Sequence, residues 1–164
     1  MFEKLYYIQK NNTNVIDIIG FNGPIILFLT SIIKLWKQKY IYGYLLFYII
    51  NIFINNLLKN TIKQARPNNT MNTNKEKYPG VHIYGMPSYH TQSVFFSITF
   101  LYLINKSIFI LLIECFIAFI TIYQRWVYRH HTIEQLLVGS FIGIINAYIG
   151  YILTYQYITN SIIQ

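Results

Sequence analysis

The chain has 164 residues, 54% of them hydrophobic and 11% charged, with a mean hydropathy of +0.37. A soluble domain carries about 25% charged residues, so this composition excludes an ordinary soluble domain and points to lipid. The net charge of +8 does not argue for nucleic acid, because most cations flank apolar runs, where Lys and Arg anchor helices at the headgroups.

Apolar runs predict an all-α, polytopic membrane bundle of about five transmembrane helices, each near the roughly 20 residues needed to cross hydrocarbon. The first extends from Val15 to Trp36 and is interrupted by Gly20, Gly23 and Pro24, which predict a kink or a late start. The second covers Tyr40 to Leu58, and the third begins just after Pro87 and ends near Asn105. The fourth runs from Ile108 to Tyr123 and the fifth from Thr132 to Tyr157. Trp36, Tyr40, Tyr123 and Trp126 at span ends fit interfacial aromatic belts. The stretch Asn68 to Gly85 is the one long polar connection, and residues 1–164 form one domain. No signal-peptide pattern marks the N-terminus. The single cysteine, Cys115, excludes an internal disulfide and a cysteine-based zinc site.

Three polar stretches break the apolar pattern: KNTIKQARP (Lys59 to Pro67), PSYH (Pro87 to His90) and RWVYRHHTIEQ (Arg125 to Gln135). Spans alternate in direction, so the end of the second, the start of the third, the end of the fourth and the start of the fifth share one membrane face. All three stretches lie at those ends. Lys34, Lys37, Lys39 and Lys106 mark the other face, and the positive-inside rule favours neither. Asn11, Asn68 and Asn105 stand in glycosylation-acceptor patterns that an Asn-rich chain produces by chance.

Charged groups are costly near hydrocarbon, so their clustering at span ends calls for a function. Lys59, Lys63 and Arg66 stand at i, i+4 and i+7 and share a helix face if the second helix continues that far, with Pro67 ending it. A cationic helix C-terminus anchored at headgroups is the structural alternative. Ser88 is a candidate N-cap that leaves backbone N–H groups facing an anion, and His90 follows in the first turn as a candidate proton donor. Arg125 and His131 bracket a turn. Gln135, one turn after His131, offers an amide oxygen to one ring N–H and exposes the other nitrogen as a nucleophile. His130 competes for that role, and spacing alone does not choose between them. Arg129 reads as an anchor. Glu114, in the middle of the fourth span, reads as a structural hydrogen bond or a buried protonated acid, and His82 as a solvent-exposed loop residue.

With these residues in view, the chain resembles the type 2 phosphatidic acid phosphatase superfamily, whose signature is K-x6-R-P, P-S-G-H and S-R-x5-H-x3-D. Lys59, Arg66 and Pro67 match the first part. Pro87, Ser88 and His90 match the second, with Tyr89 in place of glycine. Arg125 and His131 match the third, with Gln124 in place of Ser and Gln135 in place of Asp. The resemblance covers Lys59 to Gly139 and selects His131 over His130. YGMPSYHTQ (Tyr84 to Gln92) and HTIEQLLVG (His131 to Gly139) look most like the dolichyl-diphosphate phosphatases.

The resemblance implies hydrolysis of a polyprenyl diphosphate to the monophosphate through a phosphohistidine. It assigns His131 as nucleophile, Gln135 as its orienter and His90 as acid and base. Lys59, Arg66, Ser88, Tyr89 and Arg125 would bind the phosphate, with no metal and no cofactor. The lipid chains would lie beside the third and fifth helices. The protein would be an integral membrane enzyme, in the endoplasmic reticulum if eukaryotic. A phosphatase for phosphatidate or another lipid monophosphate is the competing enzyme. An inactive lipid-phosphate-binding protein is the competing non-enzyme, motivated by the bulk of Tyr89. A small transporter finds little support, because charges within the spans are nearly absent.

Overall fold

The computed structural model describes residues 14–67 and 84–163. These form five helices: α1 (Val15–Leu35), α2 (Tyr40–Ile62), α3 (Tyr89–Asn105), α4 (Ile108–Val127) and α5 (Ile133–Ile163). The described residues contain no strand; Ala65 and Tyr84 form one isolated antiparallel bridge. Four of the helices are long and apolar enough to cross a membrane. The all-α membrane bundle expected from the apolar runs is therefore present, and the chain is an integral membrane protein.

The exception is α3. It has 17 residues and carries Thr91, Gln92, Ser93 and Ser97 fully buried. It touches each of the other four helices and packs most extensively on α5. A helix surrounded by other helices has no need of a uniformly apolar surface, which is why α3 is the least hydrophobic of the five. Outward-facing residues such as Leu46, Phe53, Phe116 and Phe141 are exposed, as a lipid-facing surface requires.

Helix association in lipid gains little from the hydrophobic effect and relies on close packing at small residues. A Cβ at Gly143 would meet the main-chain oxygen of Gln92 at 2.2 Å, and one at Gly139 would meet that of Ser88 at 2.6 Å. These two glycines let α5 approach α3 backbone to backbone. Gly20 and Gly23 make room on α1 for the side chains of Gln124 and Thr121 of α4. α1 runs continuously through Pro24 and does not start late. Two apolar clusters fill the remainder. One joins Leu35, Tyr44, Tyr48, Phe96 and Phe100; the other joins Leu27, Val94, Ile98 and Ala118.

Candidate active site

At one end of the bundle a cavity of about 300 Å³ is lined by Ile52, Asn55, Asn56, Lys59, Arg66, Tyr89, His90, Arg125 and His131. All three polar stretches contribute to it. Residues up to 79 positions apart thus face one space, with three cationic side chains and two imidazoles among them.

The approach of Arg66 differs from the expected continuous helix. α2 ends at Ile62, and Lys63 turns into the left-handed region (φ 51°) with its N–H on the Lys59 carbonyl. Lys63 therefore leaves the face that Lys59 occupies, and the chain continues extended. Gly85 N donates to Gln64 O at 2.8 Å, and this short pairing brings Arg66 back over the cavity. There Arg66 Nη1 donates to the His130 carbonyl at 3.2 Å. Lys59 is buried, and its Nζ donates to Tyr84 O at 3.1 Å.

His131 is held by two acceptors on one nitrogen. Its Nδ1 lies 3.0 Å from Gly85 O and 3.2 Å from Gln135 Oε1. A main-chain carbonyl only accepts, so Nδ1 carries the proton and Nε2 keeps its lone pair. Gln135 is fixed in turn: its Nε2 donates to Ala65 O at 2.9 Å and to Gln64 Oε1 at 3.1 Å. That contact determines which end of the amide faces His131. A Cβ at Gly85 would come within 2.4 Å of Gln135 Oε1, so only glycine admits this arrangement. The Gly85 carbonyl had no sequence signal, because main-chain acceptors carry no residue signature, and Gln64 meets Gln135 only through the tertiary fold. His130 does not line the cavity; its ring packs on Tyr128 at 6.1 Å.

Burial and the nearby Arg66 and Lys59 push the His131 imidazole down to about 2, against a partial opposing effect of the Gln135 bond. Burial first, then Arg125 and Arg66, holds His130 down at about 3, and burial also lowers Arg66. An unfolded imidazole titrates near about 6.5, so the folded ring sheds a proton that the unfolded chain keeps at acid pH. The stability tied to neutral His131 is complete above that value and is lost as pH falls toward 2. In phosphate-free detergent the Tm is expected to drop between about pH 6.5 and 5, with a shallower slope for His131→Asn. An equal slope in the variant would count against the buried neutral ring.

Arg125 is oriented by its neighbour. Gln124 Oε1 accepts from Arg125 Nε at 3.0 Å and from Nη2 at 2.6 Å, and Gln124 Nε2 donates to Asp17 O at 3.0 Å. The guanidinium also stands over the Phe21 ring at 5.1 Å, and Phe21 lies 5.9 Å from the His90 ring. The first turns of α1, supported in the sequence only by general architecture, thus position two site residues.

Ser88 takes the N-cap position of α3, yet its side chain makes no capping bond. Its Oγ is buried without a partner, and Ser88 does not line the cavity. The start of α3 is fixed instead by Ser88 N on Gln135 O at 3.0 Å and Thr91 Oγ1 on Leu136 O at 3.1 Å. Glu114 is buried far from the site, and its Oε2 has no partner, so the expected structural hydrogen bond is not made by that oxygen. On its α2 side the cavity is lined by Ile52, Asn55, Asn56 and Lys59, while Gly139 and Gly143 close the seam between α3 and α5. His82, Asn11 and Asn68 lie outside the described residues.

A comparison with protein-family models matches residues 40–159, which contain every cavity-lining residue. No curated protein and no solved structure matches the chain. The matched family consists of phosphatases, hydrolases of phosphate esters. By this match the chain belongs to the PAP2 superfamily.

Proposed function

We propose that this membrane phosphatase hydrolyses a polyprenyl diphosphate of the dolichyl type to the monophosphate, with His131 forming a phosphohistidine. The observation that carries the reading is the single cavity shared by Lys59, Arg66, Arg125, His90 and His131. Phosphoryl transfer depends on positioning and on neutralising charge at the equatorial oxygens, and three converging cations supply both.

In this scheme Nε2 of His131 attacks phosphorus, and the bond from phosphorus to the leaving oxygen breaks. His90 gives that oxygen a proton. Water then attacks the phosphohistidine, His90 takes its proton, and inorganic phosphate leaves. Gln135 holds the ring, and the backbone at Tyr89 joins the cations around the oxygens.

The dolichyl-type substrate is favoured by the likeness of Tyr84 to Gln92 and His131 to Gly139 to that subgroup. In a eukaryotic cell the same likeness favours the endoplasmic reticulum membrane. Tyr89 stands in the cavity wall, and about 300 Å³ remains open beside it. That is the volume of roughly ten waters, so the bulk of Tyr89 leaves room for a phosphate group.

Purified protein offered polyprenyl diphosphate, phosphatidate and another lipid monophosphate tests the reading. Preferred release of phosphate from the diphosphate is expected; preference for phosphatidate would reassign the substrate, and no release from any would reject the enzyme. Activity is also expected to persist in EDTA, because cations of the chain itself surround the phosphate. Among the described residues no group of three or more His, Cys, Asp or Glu is placed to hold a metal. Strict dependence on an added divalent cation would overturn the metal-free scheme.

A further inference from the structure

Beneath its charged end, the cavity wall changes character along one helix. Lys59, Asn56, Asn55 and Ile52 all belong to α2 and all line the same space. At a rise of about 1.5 Å per residue, Asn56 lies about 4.5 Å and Ile52 about 10 Å deeper toward the bilayer centre than Lys59. The lining passes from cation to carboxamide to hydrocarbon. A ligand matching it has a charged end group, a second polar group one turn deeper, and an apolar chain beyond.

The carboxamide level is rigidly built. Gln92 of α3 donates from Nε2 to the main-chain oxygen of Asn51 at 2.8 Å, and that oxygen only accepts. Gln92 Oε1 must therefore face Asn55, whose Nδ2 donates to it at 2.7 Å. Asn146 of α5 adds a bond to Asn51 Oδ1 at 2.9 Å. Three helices thus hold Asn55 still, with 1% of its surface exposed. Asn56 beside it is exposed, and its side chain forms no hydrogen bond with another described residue. An amide with no partner near hydrocarbon is costly, and its place in the cavity wall supplies a reason to keep it.

We infer that Asn56, backed by the fixed Asn55, binds the second phosphoryl group of the substrate, the one that stays on the lipid after the outer phosphate is cut. This inference rests on the phosphatase reading of the same cavity. A carboxamide N–H donates to a phosphate oxygen without adding another positive charge. The deeper phosphate is thereby recognised, while the strongest attraction stays on the group being transferred. A lipid monophosphate puts hydrocarbon at this level and gains nothing from the amide.

The test uses the whole chain in detergent, with a polyprenyl diphosphate and a polyprenyl monophosphate of the same chain length. Asn56→Leu is expected to lose about tenfold in kcat/KM on the diphosphate, mainly through KM, the loss of one hydrogen bond to a charged group. On the monophosphate it is expected to stay within about twofold. Asn56→Gln, which keeps the amide, is expected to recover part of the loss. Equal losses on both lipids, or no loss on the diphosphate, overturn the inference while leaving the phosphatase reading in place. A wild-type protein that releases phosphate from no lipid overturns both.

Discussion

His131→Ala is expected to abolish phosphate release, by on the order of 10⁴-fold or more, as removal of a nucleophile does when the remaining groups only bind charge. The geometry makes the expectation specific to this ring. Both acceptors at Nδ1, Gly85 O and Gln135 Oε1, leave Nε2 as the nitrogen with a lone pair. Burial and the surrounding cations keep the ring neutral, so no proton has to be removed before attack. An arriving phosphate reverses that field: its negative charge offsets Lys59, Arg66 and Arg125 and stabilises the positive ring that forms on phosphorylation. A rapid-quench measurement should find an acid-labile phosphoprotein in the wild type and none in the variant. Undiminished turnover in folded His131→Ala protein would remove the nucleophile assignment. His130→Ala serves as the control, since its ring packs on Tyr128 outside the cavity.

The parts of the fold that sequence exposes are those fixed by solvent. Apolar length located the starts of α1, α2, α4 and α5, because lipid imposes the same demand on every span, but it stopped short of the ends of α2, α4 and α5. It failed at the end of α2, where Lys63 breaks the helix in a left-handed turn that no local residue pattern announced. It also missed what lies inside the bundle. The bond from Gln92 to Asn51 joins residues 41 apart, and the bond from Asn146 to Asn51 joins residues 95 apart. Neither pairing has a local signature. One signal was present all the same: Asn51, Asn55 and Lys59 repeat every fourth residue on an apolar helix, and polar groups within spans turn toward the bundle interior. The cavity-lining members of the motif set were legible because topology alone brings their span ends together. The carbonyl of Gly85 and the α1 contacts of Arg125 required coordinates.

Arg125→Ala is expected to lower kcat/KM by at least about tenfold and as much as a hundredfold, the range for losing a charged hydrogen-bond donor that acts on transition-state charge. Its guanidinium is the most firmly oriented cation of the site. Two of its nitrogens are bound to Gln124 Oε1, and its plane lies over Phe21. Its main-chain oxygen also accepts from the backbone N–H groups of His130 at 3.0 Å and His131 at 3.3 Å. Alanine preserves those backbone bonds, so the variant removes the charge while keeping the turn that presents His131. Arg125→Lys is expected to recover little. An ammonium is a point charge on a flexible stem; it does not stack on Phe21 and does not reproduce the two-pronged contact with Gln124. A lysine variant with wild-type kcat would show that net charge alone suffices. The fixed fork, and with it the anchoring of Gln124 to Asp17 O on α1, would then have no part in catalysis.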